Sequence, residues 1–394
     1  MSRGLLTKVT LLAASTLTVM AAATIAPSLP AMQVIFEGLP NAPFLVRLVL
    51  TLPALFIAIG SPFAGAIIDR FGRKWLLVGA MLLYGLAGGS AIIAPTLSLI
   101  LVGRAILGAT VAGIRTATTT LIADYYDGAE RAQMMGFQAA AAGFGGSIFL
   151  TIGGFLADIS WRGPFYLYLI SFLILPMAML YIRRQPETRH RGRITESGEV
   201  EQLPIGLMVF IYLIVMLTQI VFYLVPVQLP FHLKTILGAT ATQTGMGIAT
   251  TALFYALASL TFGWLSQRMG RVLLMITGFA VTGLGYLLIG TSAMWLPIIL
   301  GLMMGGFGLG MVIPNLNLWL ANDVPLAVRG RALGGFTTFI FVGQFISPFI
   351  SQPLATMVGI GGTYVVIGFA LLVLVVALFL MRHRIDALGN THSQ

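Results

Sequence analysis

The sequence predicts an all-α integral membrane protein: twelve transmembrane helices forming two pseudo-symmetric six-helix bundles. Three observations carry this expectation. The 394 residues are 58% hydrophobic and 9% charged, with a mean hydropathy of +0.96, whereas a soluble domain carries roughly 25% charged residues. Lipid is therefore the solvent. Apolar runs of about 20 residues can each cross a hydrocarbon core of roughly 30 Å as a helix, and they fall near 9–29, 45–68, 75–94, 98–122, 133–157, 164–182, 205–227, 243–266, 272–291, 295–320, 332–357 and 362–381. The chain also repeats itself. Gly65, Asp69, Arg70, Phe71, Gly72 and Arg73 recur as Gly263, Gln267, Arg268, Met269, Gly270 and Arg271, and Ala123, Arg131 and Gly136 recur as Ala321, Arg329 and Gly334, always 198 residues later. A gapless shift of half the chain length, held over two motifs, marks a duplicated six-helix unit of the kind that builds membrane transporters.

Residues 1–182 and 204–394 are the two expected bundles, and 183–203 is a cytoplasmic linker. The linker mixes Arg and Glu without apolar periodicity and has no domain of its own. The first apolar run has a basic flank and an Ala-rich end near 21–23, which resembles a signal peptide, but eleven further spans argue that it stays as the first helix. Alternate loops differ sharply in basic residues. One side carries Arg3 and Lys8; Arg70, Arg73 and Lys74; Arg131; arginines 183, 184, 189, 191 and 193; Arg268 and Arg271; Arg329 and Arg331; and Arg382 and Arg384, against Arg162 and Lys234 on the other. The basic side is cytoplasmic, so both termini are expected there. The net charge of +10 is explained by this asymmetry and by anionic headgroups, with no need for nucleic acid. No cysteine is present, so disulfides, thiol chemistry and cysteine metal sites are excluded.

The loop between the second and third helices reads Gly65-Ala-Ile-Ile-Asp69-Arg70-Phe-Gly72-Arg73-Lys74. Gly65 lets a neighbouring helix approach, Gly72 permits a sharp turn, and the cations sit at headgroup level. Asp69 is the informative member, because a carboxylate at this mouth can accept hydrogen bonds from a facing helix N-terminus and is favoured by its dipole. The loop resembles the signature of the major facilitator superfamily. The resemblance implies that Asp69 latches the two halves in an outward-facing state, and that Asp124, at the end of the fourth helix, partners a basic residue of this loop, here assigned as Arg73. The second copy has Gln267 for the acid, so the latch is expected to be asymmetric.

The fourth helix contains Ile100-Leu-Val-Gly-Arg104-Ala-Ile-Leu-Gly108, similar to a motif of the same family in which a buried Arg lies on the transport route. A guanidinium that deep must face protein or water. Arg115 follows eleven residues later, nearly on the same face, so Arg104, Gly108, Arg115 and Thr119 form one stripe expected to line a central cavity; a structural Arg that bonds helix ends is the competing reading. The 198-residue shift carries Thr119 onto Asn317, a further cavity candidate, while Asn315, roughly 200° away, is expected to bond a neighbouring helix. Tyr212, Gln219 and Tyr223 make a second stripe that serves equally as cavity lining or as interhelical glue.

The fifth helix, with Gly136, Gly145, Gly146, Gly153 and Gly154, is similar to the motif of antiporters and drug exporters, although Phe149-Leu150 replaces its central Gly-Pro. Trp161-Arg162 with Phe165 also resembles exporters of the family, and reads equally as an interfacial anchor. The first helix ends in Pro27-Ser-Leu-Pro30, similar to drug:proton antiporters, with Ala23 where those proteins often carry an embedded acid. All twelve acids fall in loops or at helix mouths, and His190, His232, His383 and His392 lie outside the expected spans. Together these features imply a secondary transporter exporting an amphipathic neutral or anionic small molecule by alternating access, with uptake or exchange of an organic anion as the alternative and a non-transporting receptor more remote. No enzyme chemistry, cofactor or metal is expected. Proton coupling, where present, should run through Asp69 and Asp124 or the substrate. A monomer in a bacterial inner membrane is the expected setting.

Overall fold

The computed structural model describes residues 3–182 and 204–389, so the linker 183–203 lies outside the described residues. The described chain is helical throughout. The first expected span is α1 (Arg3–Ala23), continued through a 3-10 turn at Ala26–Ser28 into the short α2 (Leu29–Ile35), so the Pro27–Pro30 stretch does not end it. Spans two to five are α3 (Ala42–Phe71), α4 (Arg73–Gly89), α5 (Leu97–Tyr125) and α6 (Gly128–Ile159). The sixth enters as a 3-10 stretch, Gly163–Ile170, and becomes α7 (Ser171–Tyr181). The second half comprises α8 (Ile205–Leu237), α9 (Ala241–Ser266), α10 (Arg271–Thr291), α11 (Trp295–Asp323), α12 (Leu326–Leu380) and a short α13 (Arg382–Gly389). Continuous α12, 55 residues long, is two spans: Gly359, at φ 76°, breaks it where only glycine turns freely. Counted this way, the described residues carry twelve spans.

Two prolines inside α8 explain why its end lies ten residues beyond the expected 227. Proline removes a helical N–H and usually marks a stop, yet α8 runs on through Pro226 and Pro230. Hydroxyls from the same bundle also pin α8 just before these prolines: Ser347 donates to Ile220 O at 2.9 Å, Tyr286 to Val221 O at 2.6 Å and Tyr364 to Leu224 O at 3.3 Å. His232, expected outside the spans, is a buried residue within α8 and contacts Ile289 O at 3.2 Å.

The sequence repeat reappears as a packing repeat. A Cβ on Gly108 would fall on the carbonyl of Pro53, and one on Gly306 on the carbonyl of Thr251. Both members of this contact are related by the same 198 residues, so α3 against α5 and α9 against α11 are one close crossing built twice. The sets touch chiefly through α6 with α9 and α3 with α12. We expect Gly108→Val and Gly306→Val each to destabilise the folded protein by about 1–3 kcal/mol, read as a lower thermal midpoint in detergent. Gly65→Ala, where nothing lies within 4 Å of the added atom, should leave the midpoint unchanged.

Candidate functional site

Because the spans are even in number, both termini lie at one face of the molecule, and the bundles meet most tightly at the other. There α6 and α9 cross backbone to backbone. A Cβ on Gly154 would sit 2.6 Å from Ala241 O, and one on Gly245 would sit 2.7 Å from Leu150 O. Beside this crossing the exposed Asp158 carboxylate caps α9. Oδ1 accepts from the Ala241 N–H at 2.6 Å, and Oδ2 accepts from the Thr242 N–H at 2.9 Å and the Thr242 hydroxyl at 2.5 Å. A carboxylate at a helix N-terminus meets free N–H groups and the positive end of the dipole, so an acid of one bundle holds the first turn of a helix in the other.

The second contact at this face centres on Arg47, which the sequence reading passed over because it lies just inside an apolar run. Its side chain is 3% exposed. Nε and Nη2 both donate to Gln228 Oε1 on α8, at 3.1 and 3.0 Å, while Nη1 donates to Gln33 Oε1 at 3.1 Å and Pro43 O at 2.7 Å. Phe231 lies beneath the guanidinium at 3.8 Å. Gln228 donates onward to Ser351 Oγ at 3.1 Å and Gln352 Oε1 at 3.4 Å, and Phe44 meets Phe349 edge-on. A lone Arg near the start of an apolar run was the available signal. A buried guanidinium is costly enough to require partners, but those partners come from three helices, α2, α3 and α8.

Nearer the termini face, polar side chains of both bundles are exposed. Arg115 is exposed on α5, its guanidinium 5.3 Å from the Phe341 ring of α12 across the inter-bundle space. Thr119, one turn further, is also exposed, as is Asn317 on α11. Asn315 points elsewhere and donates to Arg271 O at 2.8 Å.

Arg104 departs from the cavity expectation. It is 1% exposed, and its three nitrogens donate within its own bundle, to Val49 O at 2.8 Å, the Tyr168 hydroxyl at 2.7 Å and Ala21 O at 2.6 Å. Helices α1, α3 and the Gly163–Ile170 stretch enclose it, so helical phase alone did not bring it beside Arg115. The α8 stripe likewise turns inward. Tyr212 donates to Ala332 O at 2.8 Å and stacks on Phe339, Gln219 accepts from Gln344 at 3.0 Å, and Gln219 and Tyr223 are buried.

In the signature loop Gly72 has φ 83° and makes the turn. Arg73 is ion-paired with Asp124, and the second copy repeats the pair as Arg271 with Asp323 at 2.8 Å. Arg70 is exposed beside Phe71, and Lys74 donates to Met179 O at 2.6 Å. The expected close approach at Gly65 is not made in this structure: an added Cβ would meet nothing within 4 Å. The Asp69 side chain lies outside the described residues. Among the described residues the ion pairs are these two, which leaves Arg47, Arg104 and Arg115 without a carboxylate partner.

Two six-helix sets with polar side chains facing an inter-bundle space define a membrane transporter rather than an enzyme. The family model for the Major Facilitator Superfamily matches residues 11–227 and 208–393, and the chain belongs to that family. It is 29% identical over 328 residues to the class C tetracycline resistance protein of Escherichia coli, covering 76% of this chain and 77% of the relative. It is 25% identical over 338 residues to the quinolone resistance protein NorA of Staphylococcus aureus, with 84% and 86% covered. Among solved structures it is similar to a D-xylose-proton symporter, at TM-score 0.78 and 20% identity over 96% of this chain and 98% of that one. A bacterial homolog of the human lysosomal transporter Spinster gives TM-score 0.80 at 15% identity, with 96% of each chain covered.

Asp158→Asn should weaken closure at the face opposite the termini. Three donors converge on an exposed carboxylate, so its loss is worth about 1 kcal/mol, or a roughly fivefold shift in population, read by spin-label distances between Ile159→Cys and Lys234→Cys. Arg73→Gln and Asp124→Asn should be non-additive in a double-mutant cycle on transport rate; additive effects would mean that the ion pair has no functional role.

Proposed function

We propose that this chain exports a small amphipathic neutral or anionic compound across a bacterial plasma membrane by alternating access. The termini face is cytoplasmic in this reading, supported by its concentration of Lys and Arg. The described conformation is then inward-facing, with Asp158 and Arg47 closing the outer side while Arg115 and Thr119 face the open side. Export is supported by relatives named for tetracycline and quinolone resistance and by a Lactococcus lactis relative named as a multi-drug resistance efflux pump homolog.

The observation that carries the substrate class is Arg115, an exposed guanidinium in the inter-bundle space without a carboxylate partner among the described residues. A desolvated cation finds no counter-charge there, whereas a carboxylate or acceptor-rich solute does. Arg104 acts in this account as a positioning group, holding α1, α3 and α5 in register behind the cavity wall. Thr119 and Asn317 contribute polar contacts, and Asp69 latches the inner mouth in the opposite state.

In proteoliposomes, a carboxylate-bearing quinolone should move saturably and faster than the permanent cation ethidium. Arg115→Ala should lower kcat/KM for the quinolone about ten- to a hundredfold, the worth of a hydrogen bond to a charged group. Preferential transport of ethidium would overturn the electrostatic reading. Any proton linkage runs through the mouth carboxylates Asp69 and Asp124 or through the substrate itself, since a coupling group is one whose proton affinity changes with state. Flux against a concentration gradient, driven by a pH gradient, should be lost in Asp69→Asn/Asp124→Asn and kept in His232→Gln. The reverse result would place coupling at the buried histidine.

A further inference from the structure

We propose that the Nε–Nη2 edge of Arg47 is a carboxylate-binding site for the transported solute, available only while the outer mouth is open, and that Gln228 occupies it when that mouth closes. The inference rests on the alternating-access export reading and adds to it a second anion site, on the outer side.

The partners of Arg47 divide by bundle. Nη1 is held by Gln33 Oε1 and Pro43 O, both on the same bundle as Arg47. The Nε–Nη2 edge is held entirely from the other bundle, both N–H groups converging on the single Oε1 of Gln228 at 3.1 and 3.0 Å. That edge of a guanidinium matches a carboxylate, whose two oxygens take one N–H each in parallel. Here one neutral amide oxygen stands in their place. Gln228 is itself fully buried and fixed by Ser351 and Gln352 of α12, so it approaches and leaves with its bundle.

Separation of the bundles at this face therefore removes two things together, the amide oxygen on the edge and the Phe231 ring beneath the guanidinium. The Nη1 contacts remain. Arg47 is left anchored, charged and with its fork aimed into the opened mouth, a preorganised site for a planar oxyanion. The anion and Gln228 compete for the same two N–H groups. A solute carboxylate on Arg47 holds the outer mouth open, and its departure lets Gln228 return and the mouth close.

The test uses the full chain in lipid nanodiscs, with spin labels at Leu39→Cys and Met357→Cys, both exposed at this face of an otherwise cysteine-free protein. Benzoate is the probe, and benzamide, of the same shape without the charge, is its control. Benzoate should move the label distances toward the longer population and benzamide should not. Arg47→Gln should raise the benzoate concentration needed for half the shift at least about tenfold, the loss of a charge-assisted pair. Gln228→Glu, which puts a carboxylate on the edge permanently, should enrich the short-distance population and abolish the benzoate response. Equal action of benzoate and benzamide, or a Gln228→Glu protein that answers benzoate as the unmodified chain does, overturns the assignment. Quinolone flux in proteoliposomes separates the two levels of argument. Flux without any benzoate response overturns the Arg47 site alone, whereas absent flux together with a single distance population overturns alternating access and this site with it.

Discussion

A chain dissolved in hydrocarbon must satisfy its polar groups from within, and the described structure depends on that requirement. Each carbonyl loosened by a proline and each guanidinium drawn below the headgroups must find a partner inside the protein, because lipid offers none. Carbonyls of α8 just before its two prolines are held by three hydroxyls from α10 and α12. Arg104 is tolerated because it converts the same need into a tie between helices, with two backbone carbonyls and a tyrosine hydroxyl taking its nitrogens. Polar groups that would be liabilities in lipid thus become the fasteners of the bundles.

Within each bundle, glycines set the distances. The crossing of Gly108 with Pro53, and of Gly306 with Thr251, brings helix backbones into contact where side chains would hold them apart. The same device appears between bundles at Gly154 and Gly245, but there the crossing is accompanied by polar contacts that can be exchanged. Asp158 on the first turn of α9 and Gln228 on Arg47 are hydrogen bonds to charged groups, which in the proposed alternating-access cycle come within reach of water. Interactions of this kind, unlike a hydrophobic seam, lose little when water or a solute replaces one partner. Contacts within a bundle thus include tight glycine crossings, whereas those bridging the bundles at this face include polar ones that water or a solute can replace.

Charge is distributed with the same asymmetry. The described ion pairs, Arg73 with Asp124 and Arg271 with Asp323, are at the termini face, where each ties neighbouring helices of one bundle. The deeper cations have neutral acceptors or aromatic faces instead: Arg47 over Phe231, Arg104 near Tyr168 and Arg115 near Phe341. Aromatic faces and carbonyls partly offset a buried cation without neutralising it. The proposed preference for a solute that brings negative charge or acceptors rests on this lack of carboxylate partners among the described residues.

By itself the sequence determined what depends on local composition and periodicity: the apolar spans, the 198-residue duplication, the turn at Gly72 and the all-helical class. It also placed Arg73 and Asp124 at one mouth, since Arg73 opens the third span and Asp124 closes the fourth on the same side. What it left open depends on partners far away in the chain. That α8 continues past Pro226 and Pro230, and with it the burial of His232, is seen only in the tertiary structure. Helical phase relates Arg104 to Arg115 on α5, but burial of the one and exposure of the other depend on how α1 and α3 wrap α5. Arg47 and Asp158 read as an unremarked Arg and a loop acid until the second bundle supplied Gln228 and the first turn of α9. Propensity and hydropathy act over a turn or a span, whereas the cost of burying a polar group is met by whichever helix packs against it, and only the tertiary structure decides which helix that is.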